Sequence, residues 1–198
     1  ISGMKRLGGS TIGYDKRKNK FFVCLTYECK DDNKREVGKV IGIDRGIKNL
    51  VTTSEGEFLG NEIKRIRRKH THLRKKLSVK GTRSAKRLLK RLSGKEKRFN
   101  RNVNHVITKL LSERDDVKTY VLENLKGIRN KKKGRILNRW LSGWPFFQFE
   151  SFLSYKCNAK GIDVVKVDSR YTSQDCSNCL HRDKKNRNGN VFVCTRCT

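Results

Sequence analysis

Two cysteine pairs, Cys176-Ser-Asn-Cys179 and Cys194-Thr-Arg-Cys197, constrain this chain more than any other feature. Fourteen residues separate them. A pair of this spacing folds as a tight turn with backbone amides aimed at its sulfurs. Two such turns set four thiolates at the corners of a tetrahedron, the ligand set of a closed structural Zn2+ site of the zinc-ribbon kind. Cys176, Cys179, Cys194 and Cys197 are therefore the predicted ligands, with His181 nearby but surplus to a filled site. A redox role lacks the thioredoxin-like context that such a role needs. The chain has seven cysteines, an odd number that does not suit a fully paired secreted framework. Cys24, Cys29 and Cys157 lie in apolar surroundings and are read as small buried hydrophobes.

Charge constrains the partner. Lys and Arg number 49 against 19 Asp and Glu, a formal net charge of +30 on 198 residues. A chain that basic repels itself unless a polyanion neutralises it, and nucleic acid rewards each phosphate contact by releasing counterions. A merely solvated surface would mix both signs. No run of eighteen apolar residues and no signal-peptide pattern is present, so the expected location is cytoplasmic.

The cations are concentrated in a stretch with helical periodicity. Ile63, Ile66, His70, Leu73 and Leu77 step by three and four, as do Ala85, Leu89, Leu92, Glu96, Phe99, Val103, Val106 and Leu110. The break over Ser78–Thr82, with Gly81 in the turn, makes the two runs a helical hairpin. From Ile63 to Arg101 nearly every second residue is Lys or Arg, and Glu96 is the sole acid. Helix faces of a solvated kind pair Glu with Lys at four-residue spacing, and here the cations have no such local partners. The hairpin is therefore read as a phosphate-contacting arm, with Lys64, Arg65, Arg67, Arg68, Arg74, Lys75, Lys76, Arg87, Lys90 and Arg91 as its contacts. Lys126–Arg139 adds a basic loop with seven further cations.

Around this arm lie strand-like runs. Thr11–Val51 reads as strands, including Lys20–Tyr27 and Lys39–Asp44, with a hairpin to Asn49–Ser54 and a further strand from Phe58. Lys118–Glu123 is another strand. Trp144-Pro145 opens a helix with Phe146, Phe149, Leu153 and Cys157 on its buried face, and Ile162–Val167 reads as a buried strand after Gly161. Strands, helices, strand, helix, strand is the order of an α/β RNase H-like fold with a mixed sheet, here carrying the inserted helical hairpin and the C-terminal ribbon.

Two of these strands end in carboxylates, Asp44 and Glu123. Neighbouring carboxylates at strand ends can hold Mg2+ for phosphodiester cleavage. On spacing alone, Asp44-Arg-Gly is equally an ordinary turn and Glu123-Asn124 an ordinary strand exit.

Gly42-Ile-Asp-Arg-Gly-Ile-Lys-Asn49 resembles the first RuvC motif of TnpB nucleases, the ancestors of type V CRISPR effectors, and Val121-Leu-Glu-Asn-Leu125 resembles their second. Leu92-Ser-Gly94, Asn104-His105, Val164–Val167 and Tyr171-Thr-Ser-Gln174 fit the same family, in order, from about Thr11 onward. The resemblance implies a RuvC nuclease with Asp44 and Glu123 as catalytic Mg2+ ligands and a guide RNA and DNA as partners. It implies a division into the last strands of an N-terminal barrel (1–40), a RuvC-like domain (41–172, with the basic insertion at about 61–113) and the ribbon (173–198).

The family pattern also places a third catalytic Asp, in an Asp-x-Asp-x-Asn motif, shortly after the last cysteine. The sequence stops at Thr198, so it is read as truncated at both ends and inactive as it stands. Asp163 and Asp168 are not read as substitutes, and Asp115-Asp116 is read as a helix-end turn. Leu180 stands where the family often has Gly, a position that favours a left-handed backbone. Two functions follow: an RNA-guided DNA endonuclease of the kind described as transposase, or a nuclease-dead nucleic-acid-binding remnant or repressor.

Overall fold

The computed structural model describes residues 5–16, 19–28, 31–46, 49–128, 134, 138, 141, 145–168, 170–172, 174–189 and 191–197. Cys29, Trp144 and most of the 126–139 loop lie outside the described residues. Alternating apolar residues produce a five-stranded sheet from β3 (Lys39–Asp44), β4 (Val51–Thr53), β5 (Phe58–Leu59), β6 (Val117–Asn124) and β7 (Asp163–Asp168). Its order is β5-β4-β3-β6-β7. β3, β6 and β7 run parallel, while β4 and β5 are antiparallel to their neighbours, so the sheet is mixed as expected.

Period-two patterning decides which face is covered. Ile41 and Ile43 on β3, Val51 on β4, and Tyr120 and Leu122 on β6 are buried. They form one core with Val103, Ile107 and Leu111 of α2 (Arg83–Ser112) and with Phe146, Phe149, Leu153 and Cys157 of α3 (Phe146–Asn158). The Tyr120 hydroxyl donates to the Leu111 carbonyl at 2.8 Å, which satisfies a polar atom deep in that core. The opposite face is open: Val40, Val165 and Val167 are 63%, 47% and 40% exposed. β7 is therefore an exposed edge strand rather than the buried one its valines predict, and the buried apolar residue beside it is Ile162. Gly161 precedes it at φ +66°, where an added Cβ would meet the Asn33 carbonyl oxygen at 2.0 Å. That close approach admits only glycine.

The hairpin is present as α1 (Glu62–Lys80) and α2, but the turn lies at Gly81-Thr82, beyond Ser78. The Thr82 hydroxyl caps α2 by accepting from the Ala85 amide. The buried stripe also differs from the expected one. On α1 it comprises Ile63, Arg67 and His70, while Leu73 is exposed. On α2 it turns onto Val103, Ile107 and Leu111, leaving Val106 and Leu110 more than half exposed. The stripe turns because the second half of α2 leaves α1 and packs on the sheet and α3.

Glu96 is the hinge of the apposed helices. Its carboxylate pairs with Arg74 and lies 3.6 Å from His70 Nδ1, and its charge also acts on buried Arg67. Burial lowers the Arg67 pKa, and Glu96 opposes that shift. Within the described residues 63–101 no i,i+4 ion pair forms, as expected; Arg74 and His70 find their acid, Glu96, on the facing helix instead. Glu96→Gln should cost about 2–3 kcal/mol, less than a fully buried pair because the Arg74 side chain is 41% exposed. Urea unfolding checks this; a change below about 0.5 kcal/mol would contradict it.

β1 (Arg6–Asp15) and β2 (Lys20–Tyr27) form a separate antiparallel hairpin. Almost all of its side chains are exposed, Cys24 among them, which corrects the buried reading of that thiol; Cys157 is buried as expected. Among the described residues, no helix is long and apolar enough to cross a membrane.

Candidate functional site

The parallel register Ile43↔Leu122 aligns the ends of β3 and β6. Ile43 and Leu122 point into the core, so the next residues, Asp44 and Glu123, sit side by side on the open face. Thr52 of β4 is paired with Asp44, and Val167 of β7 with Glu123, giving a row across four strands. Gly42 and Val121 form the floor of a shallow depression in front of this row. Gly42 is held against Ser54 by two hydrogen bonds, from its amide to Ser54 Oγ and from the Ser54 amide to its carbonyl. The Thr172 hydroxyl donates to Glu123 Oε1 at 3.1 Å.

Behind the pair lies a residue the sequence reading did not single out. The Arg45 side chain is 1% exposed and donates to Glu150 Oε2 at 2.9 Å and to the Glu123 backbone carbonyl. It thereby ties the ends of β3 and β6 to the start of α3. Burial would raise the Glu150 carboxyl, but hydrogen bonds from Lys166 and Arg45 outweigh it and hold the group below its ordinary range. An Arg following a strand-end Asp reads in sequence as a solvated turn residue; only the packing of α3 reveals its role.

Asp168 is one position further along β7, paired with Asn124, and accepts from the Arg170 amide. Asp116 binds Arg114 and Lys39 in the α2–β6 connection, as a helix-end residue would. Two carboxylates are oxygen donors suited to a hard cation, with water and a phosphate needed to complete an octahedron.

The second centre is sulfur. Among the described residues, the four side chains of Cys176, Cys179, Cys194 and Cys197 form the one group of three or more potential ligands, all within 4.8 Å of one another. The Cys176–Cys197 and Cys179–Cys194 sulfurs are 3.5 and 3.6 Å apart. The edge of a tetrahedron with metal–sulfur bonds of about 2.3 Å is close to ~3.8 Å, so the tetrad fits a metal ion. Hydrogen bonds with the Cys179 and Cys176 sulfurs push Cys197 up to about 12, but backbone amides of Cys179 and Asn178 hold Cys176 down to about 6 and the Arg196 amide lowers Cys194, both favouring the thiolate a metal requires. By contrast, burial pushes the Cys157 thiol up to about 12. His181 stays outside the tetrad; its carbonyl accepts from the Cys176 amide. Leu180 adopts φ +58°, the left-handed conformation anticipated from the glycine usual there.

Buried Asn186 is the ribbon's polar centre and was not anticipated. Its amide donates to the Gln174 and His181 carbonyls, and its Oδ1 accepts from the Thr195 amide and hydroxyl. It bridges the two cysteine turns from the position just before β8 (Arg187–Asn188), which pairs with β9 (Val191–Phe192).

The hairpin cations divide. Arg87, Lys90 and Arg91 line a single groove on α2 with Lys95 and Arg98, two residues the sequence reading did not name. Lys64 is half-buried, and Arg65, Arg68, Lys75 and Lys76 are exposed on α1 outside that groove. Arg67 is only 7% exposed and packs inside the hairpin, so it is not a surface contact. Arg74 is committed to Glu96.

The family model OrfB_IS605, described as a probable transposase, matches residues 22–131, and a Cas12f1-like TNB domain model matches residues 146–198. The chain is 29% identical over 219 aligned residues to the CRISPR-associated endodeoxyribonuclease Cas12f1 of Sulfoacidibacillus thermotolerans, covering 100% of this chain and 51% of that protein. It is 32% identical over 165 residues to the TnpB-like protein MJ0751 of Methanocaldococcus jannaschii, covering 74% of this chain and 59% of that protein. It thus spans between half and three-fifths of these two relatives. The fold matches that in a cryo-EM structure of a Cas12f1-sgRNA-target DNA complex with a TM-score of 0.69 at 18% identity, over 95% of this chain and 42% of that one. That likeness establishes an RNase H-like architecture for the five-stranded sheet. Because the first family model accounts for more than half of the residues, the chain belongs to the OrfB_IS605 family of probable transposases.

Proposed function

We propose that this protein acts in RNA-guided cleavage of DNA, with Asp44 and Glu123 holding catalytic Mg2+ and the four cysteines holding structural Zn2+. The observation that carries the reading is the Ile43↔Leu122 register, which makes the two carboxylates neighbours at parallel strand ends on an uncovered sheet face. Mg2+ bound there would activate a water and neutralise charge on the scissile phosphate. The chain's own contribution is to hold both carboxylates on rigid strand ends. Arg45 fixes the Glu123 backbone, and the open face leaves room for a phosphodiester strand. The names of the relatives, endodeoxyribonuclease and TnpB-like protein, support the substrate class. The proposed boundaries are those of the sequence: a β1–β2 unit to about residue 40, a RuvC-like domain at 41–172 and a ribbon at 173–198.

DNA and guide RNA are the proposed partners, held largely through phosphate contacts. The α2 groove of Arg87, Lys90, Arg91, Lys95 and Arg98 is the leading contact surface, because its cations converge without internal acids. Changing Arg87, Arg91 and Arg98 to Gln should lower the slope of log affinity against log salt by about 2–3, at roughly 0.7–0.9 per lost phosphate contact. Non-cognate strands should lose affinity in the same proportion, since phosphate contacts carry no sequence information. An unchanged slope would remove this groove from the interface.

A further inference from the structure

The ribbon and the carboxylate row are joined by a continuous chain of contacts, and the row does not depend on the sheet alone. Resting on the metal-site reading of Asp44 and Glu123, we infer that Thr172 is a positioning residue for the Glu123 carboxylate, and that the ribbon holds Thr172 in place. The Thr172 hydroxyl donates to Glu123 Oε1 at 3.1 Å, in a segment that is not part of the sheet. Its neighbour Tyr171 sits at φ +61°, a conformation an aromatic residue adopts only when its surroundings impose it.

Those surroundings belong to the ribbon. The Tyr171 carbonyl accepts from the Gln174 and Asp175 amides at 2.7 and 2.9 Å. The Arg182 guanidinium lies 4.0 Å from the Tyr171 ring centroid and is itself fixed by a two-point contact with Asp175. Asp175 bridges to Arg182 immediately before Cys176, and the Cys176 amide donates to His181. The path from Glu123 to the first cysteine turn therefore runs through Thr172, Tyr171, Arg182 and Asp175. A carboxylate with four acceptor sites and one oxygen engaged by a hydroxyl has its rotation restricted and its other oxygen directed away from Thr172. Hydroxyl support of this kind behind a metal-binding carboxylate is worth about tenfold or more in metal affinity.

The test uses the zinc-loaded 198-residue chain and Mn2+ as a paramagnetic stand-in for Mg2+, with free Mn2+ followed by electron paramagnetic resonance. Thr172→Val should weaken Mn2+ binding about tenfold, and Thr172→Ser should restore it, while zinc content stays unchanged. Arg182→Gln, which loosens Tyr171 without touching the carboxylates, should weaken Mn2+ binding in the same direction. Equal Mn2+ affinity in wild type, Thr172→Val and Arg182→Gln would overturn the inference. Asp44→Ala separates the two readings. If it abolishes Mn2+ binding while Thr172→Val has no effect, the positioning role alone fails. If Asp44→Ala leaves Mn2+ binding intact, the metal site itself is misplaced and the positioning role falls with it.

Discussion

Chelation of zinc, or Cys179→Ser, is expected to unfold residues 174–197 while leaving the five-stranded sheet folded. The ribbon has little else to hold it. Val191, Phe192 and Val193 are all exposed, and the buried residues are Cys176, Cys194 and the polar Asn186. At about 25 cal/mol per Å2, so small an apolar surface cannot offset the entropy of ordering the segment. Binding of a structural zinc contributes about 10–16 kcal/mol, enough to make the segment's fold conditional on metal. The backbone amides of Val193 and Thr195, which donate to Asn186 and so join the two cysteine turns, should then lose hydrogen-exchange protection, while Tyr120 and Leu122 in the core keep theirs. Elemental analysis should give one zinc per chain in the wild type. Retained protection after complete chelation would show that the ribbon stands without a metal.

The parts of this fold that were legible in sequence are those set by local pattern. The Val-Ile-Gly-Ile-Asp run places a carboxylate at the end of β3 because alternation and the following turn are encoded in adjacent residues. The cysteine spacing likewise carries its own geometry. What was not legible depends on contacts between distant segments. Arg67 and Glu96 carry full charges, and nothing nearby in sequence says that α1 and α2 enclose them together. The valines of β7 read as a core strand, but composition cannot say that the face they line is left open beside the carboxylates. Cys24 shows the same limit: Phe-Phe-Val-Cys-Leu has apolar side chains on both faces of β2, and both are exposed. Arg45 and Asn186 were missed because a turn arginine and a loop asparagine carry no signal until α3 and the second cysteine turn pack against them.

The site also explains why its polar supports should be less sensitive than its carboxylates. Thr172 and Arg45 act on the orientation of Glu123, so their loss should weaken metal binding without removing a ligand. In the proposed site, Asp44 and Glu123 are the ligands themselves. Losing either would remove water activation or charge neutralisation, each worth several kcal/mol of the barrier, and every 1.36 kcal/mol is a factor of ten in rate. A loss of about a thousandfold or more is the expected scale.

The most direct measurement is Mg2+-dependent DNA cleavage by the protein expressed from its native reading frame with its guide RNA, compared among wild type, Asp44→Ala and Glu123→Ala. Wild type should cleave in Mg2+ and stop in EDTA. Each variant should bind guide and target with wild-type affinity and salt dependence yet cleave at least about a thousandfold more slowly. Cleavage by Asp44→Ala and Glu123→Ala at the wild-type rate would contradict the assignment of the active site to the ends of β3 and β6.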